Sequence, residues 1–282
     1  MRLNRVSRGL FGNITMFVFL GLMATVMVIP MLYIINNAFK PLNELFMFPP
    51  QIFVQNPTGR NFTELFNLLS SSSVPFLRYL FNTLFMTTMG TVGQIILGSM
   101  CAYALSKLPF PGKKQVFGLI VTSLMFSGTV TGVPVYMIVT SLGMMDTYWA
   151  MFVPALQSTL GLYLMKQFMD STIPDALLEA ARIDGAGEGS AFFRIVMPLL
   201  KPAWLTLMIL SIQNLWNSSS PYTFSETLKT MPQALSQISA GGLSRAGVGA
   251  AISLLMMAPP VLFFIISQSN ILETMSTSGM KE

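Results

Sequence analysis

Six stretches of this chain run without a single Asp, Glu, Lys or Arg for longer than the roughly 18 residues that cross a bilayer. They lie between Arg8 and Lys40, Arg78 and Lys107, Lys114 and Asp146, Asp146 and Lys166, Lys201 and Glu226, and Arg245 and Glu273. A soluble domain carries about 25% charged residues. Here the charged share is 10%, the hydrophobic share 52% and the mean hydropathy +0.62. The expected fold is therefore all-α and polytopic: one membrane domain over 1–282 with six spans, their cores near 14–36, 80–104, 116–139, 148–166, 203–218 and 248–268. Pro30, Pro134, Pro154, Pro259 and Pro260 fall inside spans, where neighbouring helices satisfy the freed backbone groups and kinks are expected. The gaps Glu44 to Arg60 and Lys229 to Arg245 are shorter and interrupted by proline, glycine or polar residues. Arg2, Arg5 and Arg8 ahead of the first run imitate a signal peptide. That run exceeds the usual core of about 7–15 residues and shows no clear small-residue cleavage site, so it is read as a span.

Orientation follows from the connecting segments. With the N-terminus inside, Lys40, Arg60, Arg78, Lys229 and Arg245 face out, and the other eleven of the sixteen Lys and Arg face in. Basic residues stay on the cytoplasmic side, so both termini and the polar insert between spans four and five are placed there. The net charge of +5 is read as topology rather than nucleic-acid binding.

That insert, Glu179 to Pro202, carries Glu179, Arg182, Asp184, Glu188, Arg194 and Lys201 between two long apolar runs. Its local physics supports two short helices. Ser171 and Thr172 are candidate caps, Pro174 suits a first turn, and Asp175 lies near the positive end of the helix dipole. Gly185 and Gly187 stop or bend that helix. Ser190 is placed to cap a second helix that Pro198 and Pro202 end. An ordinary interfacial loop with two amphipathic turns would read the same way.

The order of residues says more. Glu179-Ala180-Ala181, three residues, Gly185, nine residues, Ile195, one residue, Met197 and Pro198 resembles the EAA loop of ABC importer permeases; only Met197, for Leu, departs from that pattern. Asp184, Ala186, Phe192 and Lys201 are similar to the maltose-type carbohydrate-uptake branch, and the resemblance covers nearly the whole chain. Segments 246–251 and 266–270 look like permeases of Gram-positive bacteria that import complex oligosaccharides. The tail, Ser278-Gly279-Met280-Lys281, is an altered form of that branch's ending. The resemblance implies a MetI-like fold in the bacterial plasma membrane, with a coupling-helix loop over 171–200. In it Glu179, Ala180, Ala181, Arg182, Asp184, Gly185, Ile195 and Pro198 engage an ATPase. It further implies a second, homologous permease, two copies of a cytoplasmic ATPase that binds the ATP and Mg, an extracytoplasmic solute-binding protein and an oligosaccharide substrate.

The chain itself holds no catalytic set. Histidine is absent, and the single cysteine, Cys101, excludes an intramolecular disulfide framework. Gly112-Lys113-Lys114 lacks the upstream glycine and the Ser/Thr of a phosphate-binding loop. No metal site or cofactor is expected, and the chain is not read as an enzyme. The span cores carry no ionisable Asp, Glu, Lys or Arg, which ion-coupled carriers usually need; that weighs against a secondary transporter, the alternative alongside a permease for a non-sugar solute. The spans do carry neutral polar groups. Asn82, Gln157, Gln213, Asn214 and Asn217 are candidates for a sugar path, against the plainer reading that such groups bond one helix to another. Tyr222 and Phe224, in the outer segment 218–246, suit contact with the binding protein or sugar, or an interfacial aromatic belt. Gly90, Gly93, Gly98, Ser99 and Ala102 allow close helix approach, within the chain or against a partner. In the other outer segment, Pro41 to Val74, the stretch from Asn61 suits the cap of a short interfacial helix.

Overall fold

A computed structural model describes residues 10–71 and 73–278. Its helices in chain order begin with α1 (Leu10–Phe39), α2 (Leu42–Leu45), α3 (Arg60–Ser70), α4 (Phe76–Lys107), α5 (Lys113–Ser123) and α6 (Gly128–Ser141). There follow α7 (Tyr148–Ala155), α8 (Thr159–Thr172), α9 (Asp175–Ile183) and α10 (Glu188–Ala191), then a π turn at Phe192–Val196. The last are α11 (Met197–Leu199), α12 (Lys201–Trp216), α13 (Met231–Ser239) and α14 (Ala246–Ser278). The described residues form no strand. Arg2, Arg5 and Arg8 and the altered tail at Gly279–Lys281 lie outside them.

Three helices are individually long and apolar enough to cross a membrane: Gly12–Phe39, Phe76–Lys107 and Ala246–Gln268. Two bent pairs raise the number to as many as five: α5 with α6, at 112°, and Glu188–Leu199 with α12, at 78°. The fourth expected span, 148–166, is not one helix. Pro154 withholds a backbone N–H near the end of α7, and Ser158 starts α8 afresh by accepting from Gly161 N at 3.1 Å. The third, 116–139, breaks between Ser123 and Gly128. Charge-free runs reveal neither break, because a cap or bend needs no charge.

The chain divides into two compact units, residues up to 71 with 237–255, and residues 73–236 with 256–278. In the first, Asn61 sits inside α3, behind Gly59 at the N-cap. Its buried amide donates to Ala38 O at 2.9 Å and Lys40 O at 2.8 Å. The expected cap is thus a tie to the carbonyls that α1 leaves open at its end. Glu44 is buried, and its carboxylate accepts from the Gln55 and Asn56 amides and the Asn56 side chain.

The second unit is built on α4. Its core joins Ile95, Ala102 and Tyr103 of α4 to Met165 and Met169 of α8 and to Ala203 and Leu207 of α12. Close approach uses glycine, and a larger residue would displace the neighbouring leucine ends. A Cβ at Gly93 would stand 2.1 Å from Leu156 Cδ2, and one at Gly90 would stand 2.7 Å from Leu215 Cδ1. These small residues of α4 therefore serve packing within the chain. Gln94 completes the junction, donating to Ala155 O at 2.7 Å and accepting from Ser211.

Candidate functional site

The insert folds as two helices hinged at one glycine. Pro174 is the N-cap of α9 and withholds an N–H that would be unpaired there in any case; neither Ser171 nor Thr172 caps it. Asp175 takes the first turn, while Glu179 falls at mid-helix, past the strong field of the dipole. At the other end Gly185 adopts φ +83. Its N–H bonds Arg182 O at 3.0 Å, and the Ala186 N–H bonds Ala181 O at 2.9 Å. This pair of bonds closes a helix through a left-handed residue. Gly187, not Ser190, is the N-cap of α10.

The two helices are fixed from inside. Leu178, Ala191, Phe192 and Val196 belong to the core shared with α4, α8 and α12. Ala181 is buried too, so alone among Glu179, Ala180 and Ala181 it faces into the chain. Ile195 is half-buried in the π turn. Glu179, Ala180, Asp184, Gly185 and Pro198 are exposed. Ile183 stands beside them at 86% exposure, a large apolar side chain held in the open.

Charges tie the insert to α4 and to itself. Lys107 Nζ donates to Asp175 Oδ1 at 2.7 Å and to Ile173 O at 2.6 Å. Arg182 Nε meets Glu188 Oε1 at 2.8 Å, and Tyr103 OH donates to Glu188 Oε2 at 2.5 Å. The hydrogen bond from Lys107 holds the Asp175 carboxyl below the usual carboxylate range. Those from Arg182 and then Tyr103 do the same for Glu188.

The other candidate residues separate into three groups. Asn82 is fully buried, and both ends of its amide are occupied. Nδ2 donates to Thr227 O and Lys229 O, both at 2.9 Å, and Oδ1 accepts from Tyr148 OH at 3.1 Å. Gln157 and Asn214 come together, with Ser218, Ser220 and Tyr222, around a cavity of about 200 Å³. Gln213 and Asn217 are exposed and do not line that cavity; Asn217 bonds back to Gln213 O at 2.9 Å. Of the outer aromatics, Tyr222 is buried against Val139 and Ala150, whereas Phe224 is 61% exposed.

Residues 94–277 match the family model described as the inner membrane component of binding-protein-dependent transport systems. The chain belongs to that family. It is 33% identical over 205 residues to the melibiose/raffinose/stachyose import permease protein MelC of Bacillus subtilis, covering 71% of this chain and 74% of that one. It is 28% identical over 267 residues to the inner membrane ABC transporter permease protein YcjP of Escherichia coli, covering 93% and 94%. Its fold is similar, with a TM-score of 0.75, to a solved bacterial ABC transporter involved in import of the acidic polysaccharide alginate. That match has 22% identity and covers 95% of this chain and 99% of that one.

Several residues that shape this ABC permease do not stand out in its sequence. Tyr103 reads as one more aromatic in a span and Lys107 as a boundary charge. Asp146 reads the same way, yet it holds the outer segment. At φ 56 its carboxylate accepts from Phe224 N at 2.9 Å and Ser225 N at 2.8 Å, and from the Ser225 hydroxyl. Those bonds, the Ser225 hydroxyl's first, hold its carboxyl below the usual range. The local signal for Asp146 is its place beside Gly143, where a short polar side chain tolerates the left-handed region.

The Asn82 geometry carries a prediction. Asn82→Leu strands two carbonyls and one phenol at about 1–3 kcal/mol for each group left unsatisfied. The purified variant should unfold several degrees lower and show faster proteolysis within 218–230. Unchanged stability with a raised sugar KM would instead make Asn82 a path residue.

Proposed function

We propose that this permease imports an oligosaccharide, paired with a second, homologous permease and driven by two copies of a cytoplasmic ATPase. An extracytoplasmic solute-binding protein delivers the sugar. The observation that carries this reading is the Glu179–Pro198 insert: two helices rooted in the core of a membrane protein, presenting Glu179, Ala180, Asp184, Gly185 and the exposed Ile183. A buried root and an open face suit transfer of movement between an aqueous partner and the spans. Glu179 and Asp184 offer carboxylates to cations on the ATPase, and Ile183 offers an apolar anchor. ATP binding closes the ATPase pair, the insert moves as a lever, and the spans pass from inward-facing to outward-facing.

The substrate class rests on the relative named for melibiose, raffinose and stachyose. Neutral amides suit sugar hydroxyls as both donors and acceptors, and Gln157 and Asn214 at the 200 Å³ cavity are the two candidates brought together. Tyr222, at the same cavity, belongs with the path; Phe224 is the outer aromatic free to meet the binding protein. A secondary carrier would require an ionisable group within the span cores, where the sequence has only Lys166, at the very end of the 148–166 core.

Six spans and inside termini complete the proposal: α1, α4, α12 and α14 cross, as do α5 with α6 and α7 with α8, with the insert inside. Impermeant thiol labelling in a Cys101→Ser background tests this. A cysteine in place of the exposed Phe224 should react in intact cells. One in place of Gly187 should react only after permeabilisation. The reverse pattern puts the insert on the wrong side for any ATPase and ends the reading.

A further inference from the structure

Movement of the insert has two routes into the spans. One follows the chain from α10 through the π turn and α11 into α12, across the 78° bend. The other is lateral, into α4, and the structure builds it with unusual completeness. One carboxylate, Glu188 at the first position of α10, accepts from Arg182 at the end of α9 and from Tyr103 on α4. Three elements therefore meet on two oxygens. The Tyr103 ring is itself buried and packs on Phe192 of the π turn, centroids 5.5 Å apart. Four residues further along the same face of α4, Lys107 holds the start of α9 through Asp175 and the open carbonyl of Ile173. The end of α4 thus grips both helices of the insert, and neither helix can shift without breaking a charge-assisted bond.

We propose that Glu188 is a positioning residue that locks both insert helices to α4, so that insert and α4 move as one body during transport. This rests on the lever reading above. That reading concerns the face of the insert that an ATPase would touch; the lock concerns the part-exposed Arg182–Glu188 pair and its tie to a span 85 residues away. Separate variants probe the two, because Glu179, Ala180 and Gly185 take no part in the lock.

The test uses the assembled complex in detergent or nanodiscs, with Cys101→Ser and an environment-sensitive fluorophore on Leu77→Cys, a 73% exposed site at the far end of α4. The probe is MgATP trapped with vanadate. Tyr103→Phe keeps the ring on Phe192 and removes only the hydroxyl, and Glu188→Gln removes only the charge. Loss of a hydrogen bond to a charged group shifts the locked-to-unlocked equilibrium by roughly tenfold or more. The expected result is that the vanadate-trapped emission change falls by more than half in both variants, with ATPase copurification unchanged. A full emission change in Tyr103→Phe means movement reaches α4 without the lock and overturns the proposal. Loss of ATPase copurification in Tyr103→Phe overturns it too, since Glu188 would then serve docking. Should Glu188→Gln fold poorly, Tyr103→Phe decides alone. Failure of the lever reading looks different: the parent complex itself gives no emission change with MgATP and vanadate.

Discussion

A Gly185→Pro variant should reach the membrane at normal abundance, pair with its partner permease, and lose ATP-driven transport on the order of a hundredfold, the scale of a misplaced working element. The cause lies wholly in the backbone. Nothing stands within 4 Å of a Cβ built on Gly185, so bulk is not at issue. Its φ of +83 lies outside proline's fixed range near −65°. Proline also lacks the N–H that bonds Arg182 O, and a moved Gly185 takes the Ala186-to-Ala181 bond with it. The end of α9 then unwinds or redirects, displacing Ile183 and Asp184 from the open face. The buried roots at Leu178, Ala191 and Phe192 are untouched, which is why folding survives. Gly185→Ala keeps the N–H and costs only the left-handed penalty, about 1–2 kcal/mol, so it should be intermediate. Immunoblots of membranes, copurification of the ATPase and uptake by vesicles give the three readings. Full transport by Gly185→Pro at normal abundance would show that the insert does not carry the coupling.

Local chemistry was legible in this sequence, and long-range pairing was not. Gly185 declared its role because a left-handed helix end is a property of one residue and its neighbours. The α4 span was legible because no proline interrupts 76–107. The break at Ser158 was hidden, since a serine in an apolar run reads equally as a bonded side chain within a helix or as a cap between two. Asn82 was recognisable as a polar group needing a partner, but its partners lie on residues 148, 227 and 229, and one sequence does not say which face meets them. Tyr103 and Glu188 were opaque for the same reason. The EAA resemblance placed Ala181 among the residues that engage an ATPase; a small residue suits a buried face equally, and only the rotation of α9 decides. The outer aromatics parted likewise: Asp146 turns the segment so that Tyr222 goes in and Phe224 out.

The source of energy is the second large effect and the centre of the account. The apolar cores 14–36, 80–104, 116–139, 203–218 and 248–268 contain no Asp, Glu, Lys, Arg or His. Lys166, at the end of the remaining core, is paired with Asp170, which Ser106 also bonds. A proton-coupled carrier needs an ionisable group that binds and releases its proton within the membrane, and these cores offer only Lys166, at a span end and already paired. On the proposed reading the work enters through the insert. Vesicles should be reconstituted with this chain, its partner permease and the ATPase, with the binding protein on the substrate side and radiolabelled raffinose-family and other oligosaccharides as probes. MgATP should drive uptake of at least one sugar, and an imposed pH gradient without ATP should drive none. Uptake on the pH gradient alone, with no ATP present, would contradict the account.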